Sequence, residues 1–411
     1  MSGPQFDLVV FGATSFVGKL LCRYLSERHG AAGALKWAAA ARSQAKLEAL
    51  RTELGPAAAG LALIVADAGD AAALRAMCSR ARVVVSTVGP YALYGEPLVK
   101  ECAHGGTDYC DLTGEVQWIR RMIERYEAAA QASGARIVHC CGFDSIPSDL
   151  GVMFLQQESQ HRFGTPCSCV KMRVKAMRGG ASGGTVASLL NVVREAAADP
   201  ALRKELANPY SLCGAAAGAG VRQPSVNSAC WDRDFGAWCA PFVMAAINTR
   251  IVHRSNALQA RPWGADFRYD EAMLAGRGAR GRLAALGISA GLAGFMLGAA
   301  LPPARWLLEH FVLPAPGEGP SPQAQRAGFF DLRFFGATAD GQVLRAKVSG
   351  DRDPGYGSTS KMLGEAGACL ALDVPKSALA GGFWTPATAL GNALLARLQA
   401  HAGLKFELLE S

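Results

Sequence analysis

The sequence lacks most of the patterns that would assign it to a simple functional class. Its 411 residues include 12 cysteines but no CxxC pair, and their scattered placement suits neither a zinc ribbon nor a disulfide scaffold. The seven histidines stand far apart, none in an HxxxH pair. The nearest approach to a ligand set, His161 with Cys167 and Cys169, lacks metal-site spacing, so no metal is expected. A formal net charge of +8 comes without a basic run of five and without zinc-finger or helix-turn-helix spacing. That argues against nucleic acid and leaves a mild attraction to anionic ligands or membrane surfaces. No charged-then-apolar leader opens the chain and no internal repeat runs through it. The expectation is a cytoplasmic protein, with peripheral membrane contact as an addition to that location.

Half of the residues are hydrophobic, enough for two domains with proper cores. Up to about residue 150, short apolar runs alternate with helical stretches. The runs are Phe6–Phe11, Trp37–Ala41, Leu61–Ala66, Val83–Thr87, Tyr109–Leu112 and Ile137–Cys141. Such alternation predicts an α/β fold, a doubly wound parallel sheet covered on both faces, with ligands beyond the carboxyl ends of its strands. After that the pattern changes. Cys169–Arg178 alternates strictly, with Lys171, Arg173 and Lys175 on one side, as a half-solvated antiparallel strand would. Phe329–Gly350 reads as a hairpin around Asp340-Gly341. Residues 151–411 are therefore expected to form a second, mixed α/β domain for substrate and dimerisation. It includes an apolar helical segment at 283–313, whose stretch Leu283–Leu301 carries no charge. This stretch is expected first as a buried or interface helix, then as an acyl tunnel or lipid-docking element, and last as a span.

The stretch "DLVVFGATSFVG" places a strand before a glycine loop and a helix. The loop and first helical turn, Gly12, Ala13, Thr14, Ser15, Phe16, Val17 and Gly18, have the layout of a dinucleotide fingerprint, with the pyrophosphate at the helix N-terminus. Where a third glycine is usual stands Ser15, whose hydroxyl is expected to donate to a phosphate oxygen. The second strand ends without the carboxylate that would accept the ribose hydroxyl of NAD. Arg42, Ser43 and Lys46 stand there instead, which favours the 2′-phosphate of NADP(H). Asp67, after the third strand, is expected at the adenine edge. Thr87, Val88 and Gly89, after the fourth, are expected along the nicotinamide.

The segments "GATSFVG", "ARSQAKL", "STVGPYALYGEPLVKECAHGGTDYCDLTGE", "HCCGFDSIPSDLG", "SNAL" and "DPGYGSTSKML" together resemble the saccharopine-dehydrogenase-like oxidoreductases. The branch that includes bacterial trans-acting enoyl reductases is the most similar, over nearly the whole chain. The resemblance implies an N-terminal Rossmann domain holding NADP(H) and a second α/β domain contributing the substrate cleft.

Hydride transfer requires positioning and a proton donor. The expected catalytic residues are Tyr91 and Asp144, from loops after the fourth and sixth strands. Asp111, Thr113 and Glu115 lie nearby, while Ser145 and Ser148 are expected to cap a helix. The Lys171/Arg173/Lys175 face is expected to be solvated or, failing that, to bind a carrier or coenzyme A phosphate. The expected function is NADPH-dependent reduction of an unsaturated acyl thioester or related lipid, presented by coenzyme A or a carrier protein. Two alternatives stand beside it. One is an amino-acid dehydrogenase using Arg250 and Arg254 for substrate carboxylates, the other a non-catalytic, membrane-associated NADP(H)-binding protein. A homodimer is expected as a further partner arrangement, through the second domain.

Overall fold

Contacts in the computed structural model, which describes residues 3–31, 33–179, 183–214, 220–307 and 319–410, divide the chain into two units. The first joins the residues up to Asp144 to Gly355–Gly403, and the second comprises most of Ser145–Pro354 with the final strand.

Among the described residues, the first unit carries a seven-stranded parallel sheet. Its strands are β1 (Phe6–Phe11), β2 (Trp37–Ala41), β3 (Ala62–Val65), β4 (Ala81–Ser86), β5 (Asp108–Asp111) and β6 (Arg136–Val138), followed by Gly382–Trp384 (β13). The order β13-β6-β5-β4-β1-β2-β3 is the doubly wound plan with one strand added at the β6 edge. Apolar runs such as "FDLVVF" suit central strands covered on both faces, and Leu8, Val9 and Val10 are fully buried. Helices end where the sequence supplies glycine: Val116–Ser133 stops at Gly134, which takes a left-handed φ of 78°.

The expected boundary near residue 150 is corrected in two ways. The break falls after Asp144, and Gly355–Gly403 belongs to the first unit rather than the second. Within that return segment the Thr359–Leu372 helix packs on β1, β4 and β5, and β13 pairs with β6. Small residues permit this: a Cβ at Gly367 would meet Leu8 Cδ1 at 2.5 Å and Val85 Cγ2 at 2.6 Å. Buried Glu365 accepts from Tyr24 (2.5 Å), Arg28 (2.9 Å) and Arg397 (2.6 Å), tying the helix to Phe16–His29 and Gly391–Arg397.

Among the described residues, the second unit carries a mixed seven-stranded sheet in the order β14-β12-β11-β7-β10-β9-β8. These are β7 (Cys167–Arg178), β8 (Cys230–Asp232), β9 (Ala237–Pro241), β10 (Arg268–Gly276), β11 (Phe329–Thr338), β12 (Val343–Gly350) and β14 (Leu404–Leu409). The β11–β12 hairpin forms as expected, and Gly341 turns it with φ 88°. Strand β7 is antiparallel to β11 but parallel to β10, a mixed pairing that alternation alone does not reveal. The apolar segment forms the Gly278–Ala300 helix and the short Pro302–Leu307 helix, and its last residues, 308–313, lie outside the described residues. Of the expectation of a buried or interface helix, the buried form is corrected: within the Gly278–Ala300 helix only Gly281, Ala285 and Ala299 are buried, whereas Leu283 is 69% and Leu297 63% exposed.

Candidate active site

Strands β1 and β4 lie side by side where the strand order reverses, so the loops after them border the crevice in which such sheets bind ligands. Gly12, with φ 85°, makes the turn after β1; a Cβ there would meet Thr87 Oγ1 at 2.7 Å and Val88 Cγ2 at 2.8 Å. The N–H groups of Gly12 and Ala13 donate to Ala40 O at 2.9 and 3.0 Å, fixing the loop to β2. A Cβ at Gly18 would run into the Gly12 carbonyl, so helix and loop approach as closely as glycine allows.

Ser15 has a structural task in the loop itself. Its Oγ accepts from Gly18 N at 3.0 Å, capping the Phe16–His29 helix. It also lies 3.0 Å from Thr87 Oγ1, whose own proton is directed at the Gly12 and Phe11 carbonyls. The Ser15 hydroxyl thus caps the helix and pairs with Thr87. What this loop offers an anion is backbone N–H and the positive end of a helix with no acidic residue in its first turn. Thr14, Phe16 and Val17 complete that turn, and Val88 and Gly89 continue from Thr87.

At the end of β2, Arg42 is exposed, Ser43 Oγ caps the Gln44–Leu54 helix by accepting from Lys46 N at 3.4 Å, and Lys46 is exposed in the first turn. Two cations and a helix N-terminus stand there with no carboxylate in that turn. Asp67, also exposed, accepts from Gly69 N at 2.8 Å. These residues fit a dinucleotide carrying an additional phosphate on its ribose.

The expectation that Tyr91 supplies a proton is corrected. Its ring is buried against Trp118, with centroids 5.4 Å apart. Its hydroxyl donates to Ser86 O at 3.0 Å and accepts from Leu112 N at 3.2 Å. Burial first, and the nearby Asp111 carboxylate second, push this phenol well above its ordinary range. Tyr91 stitches the ends of β4 and β5 together. Glu115 is equally committed, accepting from Tyr91 N at 2.8 Å and Ala92 N at 2.9 Å. Asp111 accepts from Thr113 N and Cys140 N, both at 3.1 Å, and pairs with His139 Nδ1 at 2.7 Å.

Asp144 is the second expected proton donor. It is half-buried in the loop after β6, between the positions of Gly114 and Gly142. Burial pushes its carboxyl up to about 7, against the pull of its own backbone N–H and with a further push from Asp111. The loop is held by a residue that sequence reading missed: Phe143 N donates to Thr359 Oγ1 at 2.9 Å. Tyr356 is a second such residue, packed edge-on against Phe16 with centroids 4.9 Å apart. Both come from "DPGYGSTSKML", whose turn residues before an apolar helix mark a built loop but do not name its partner.

In the second unit the basic residues of β7 are paired with carboxylates, and of the three Lys175 is solvated. Arg173 is buried between Asp232 and Asp270, at 2.8 Å from each, and Lys171 reaches Asp234 at 2.5 Å. Lys175 is the most exposed of the three and lies 3.8 Å from Asp331. Carboxylates from neighbouring strands thus claim all three cations. Ser145 and Ser148 also depart from the capping expectation. Ser145 Oγ donates to Asn248 Oδ1 at 3.0 Å, and Asn248 Nδ2 donates to Glu271 Oε2 at 2.9 Å. Ser148 and Tyr269 bind the same Glu271 carboxyl, which burial nevertheless pushes up to about 7. Arg250 donates to Ala246 O and Leu206 O, and Arg254 to Leu212 O; both are buried and spent on backbone carbonyls. The amino-acid dehydrogenase alternative thereby loses its carboxylate-binding pair.

Residues 8–138 match the family model described as the saccharopine dehydrogenase NADP binding domain. The chain is 41% identical to a trans-acting enoyl reductase of Mycobacterium tuberculosis, with 96% of each covered. It is 39% identical to the protein of the same name from Mycobacterium ulcerans, again with 96% of each covered. Among solved structures, the L-Glu-forming saccharopine dehydrogenase of Saccharomyces cerevisiae shares the fold. Its TM-score is 0.53 at 13% identity, over 98% of this chain and 99% of that one.

Proposed function

The chain belongs to the trans-acting enoyl reductase family, and from that membership we propose that it reduces the C=C bond of an α,β-unsaturated acyl thioester. It is an NADP-dependent oxidoreductase whose first domain is of the saccharopine-dehydrogenase type. NADPH, when bound, supplies the hydride for the β-carbon of the substrate. The protein binds and orients the cofactor. Gly12 and Gly18 let backbone approach the pyrophosphate at the N-terminus of the Phe16–His29 helix, and Arg42 and Lys46 meet the 2′-phosphate.

The observation that carries the reading is Asp144, a carboxyl with a pKa of about 7 at the carboxyl edge of the sheet. As hydride reaches the β-carbon, negative charge moves toward the thioester carbonyl, and a proton must be added at the α-carbon. Asp144 holds that proton on its carboxyl and is matched to neutral pH for delivering it. The products are the saturated acyl thioester and NADP+. The test is the reaction of stereospecifically deuterated NADPH with enoyl thioesters of coenzyme A and of a carrier protein. Deuterium at the product β-carbon supports the proposal. A protein that binds NADPH but oxidises none with any enoyl thioester would sink it.

A further inference from the structure

We propose that the Gly278–Ala300 helix docks the protein on an anionic phospholipid bilayer. The helix is apolar on both sides. Gly281, Ala285, Ile288, Leu292, Phe295 and Ala299, buried or partly buried, line its protein-facing side, and Leu283, Leu286, Leu297 and Leu301 recur at helical spacing on the open side, 48–69% exposed. Of its most apolar 18-residue stretch, 11% is buried. An exposed stripe of leucines is unfavourable in water and favourable against hydrocarbon. Its 23 residues extend for about 35 Å, comparable to the roughly 30 Å hydrocarbon thickness of a bilayer.

Charge selects the lipid. Arg277, Arg280 and Arg282 are exposed at the helix N-terminus, where the dipole adds to their field, and the sequence has no Asp or Glu between Glu271 and Glu309. A second copy laid on this face would bring arginines and no carboxylate to meet them, whereas lipid phosphates complement them. Aromatic residues flank the same helix as interfacial anchors. Arg282 lies over the Trp238 ring at 5.5 Å, Trp231 packs against Trp238 with centroids 5.9 Å apart, and Trp306 is 53% exposed. The mode is monotopic. Strand β10 ends just before the helix and β11 follows it, and both pair with β7, so the chain enters and leaves on one side.

The test is flotation of the full chain with vesicles of phosphatidylcholine alone or mixed with phosphatidylglycerol. Co-flotation with the anionic vesicles, weakened by high salt, is expected. The double variant L283E/L297E, at two exposed positions, should lose about tenfold or more of the vesicle-bound fraction while its NADPH affinity, read by fluorescence, stays unchanged. R280E should reduce the preference for anionic vesicles. The proposal is overturned by a parent protein that does not float, or by one that floats equally well with both leucines replaced. It is also overturned by a non-floating dimer that L283E/L297E converts to monomer, since a second copy would then cover the helix. The docking reading does not depend on the enoyl substrate, and unchanged NADPH binding keeps the two separable.

Discussion

Arg42 stands exposed where an NAD-specific loop would place a carboxylate, with Lys46 one helical turn away. A charge-assisted bond to the 2′-phosphate should make Arg42→Ala weaken NADPH by about 1.5–3 kcal/mol and NADH little. Calorimetric titration with both cofactors checks this, and equal losses would refute the assignment. Asp144 carries the chemistry at the same scale. With its carboxyl at about 7, the protonated form needed to donate is depleted as pH rises through that value, so turnover should fall there. Asp144→Asn should bind NADPH normally, turn over about a hundredfold more slowly and lose this limb of the profile. A variant with parental turnover would remove Asp144 from the mechanism. Tyr91 marks the limit of reading roles from position: its place after β4 was visible in the sequence, but the Ser86 carbonyl that takes its proton was not.

At the scale of elements, the first six strands were legible because each is a short apolar run between helical stretches, a pattern fixed by burial on both faces. The seventh was not. β13 has only three residues, Gly382–Trp384, and gains its place by pairing with β6 after an excursion of more than two hundred residues through the other unit. Likewise "DPGYGSTSKML" was visible as a motif, but the contact of Thr359 with Phe143 is long-range and leaves no local periodicity. The dinucleotide loop was legible because its glycines answer local steric demands. The acid network around Arg173 was not, because its carboxylates lie on strands paired across the sheet. The return segment can be tested by its strongest anchor. Removing the carboxylate in Glu365→Ala leaves Arg28, Arg397 and Tyr24 without their shared acceptor and should cost about 3 kcal/mol in urea unfolding. If the Gly355–Gly403 segment did not belong to the first unit, the variant would leave that unit's melting unchanged.

At the scale of the whole molecule, among the described residues each unit contains a carboxyl raised to about 7: Asp144 in the first and Glu271 in the second. In both cases burial is the leading cause, and hydrogen bonds oppose it without overcoming it. The linkage has a definite sign. A carboxyl whose folded pKa lies above its unfolded value, near 4, binds more protons in the native state between those two values, so its protonation favours folding below about 7. That contribution is complete below the unfolded pKa, is lost as pH rises toward the folded one, and is gone above it. Asp232, drawn down chiefly by Arg173 against its own burial, acts oppositely, but its effect is confined to more acidic solutions. These carboxyls should therefore pull urea midpoints down as pH rises from 5 to 8, against His253 and His29, which burial lowers and which add stability up to about pH 6.5. Glu271→Gln keeps a hydrogen-bonding side chain beside Tyr269, Ser148 and Asn248 but cannot ionise, so it should flatten part of that decline; Asp144→Asn should flatten a second part, with buried Asp270, also raised, retaining its share. Midpoints of the parent and of Asp144→Asn that run parallel across this range would mean that Asp144 is ionised at neutral pH and unable to serve as the acid.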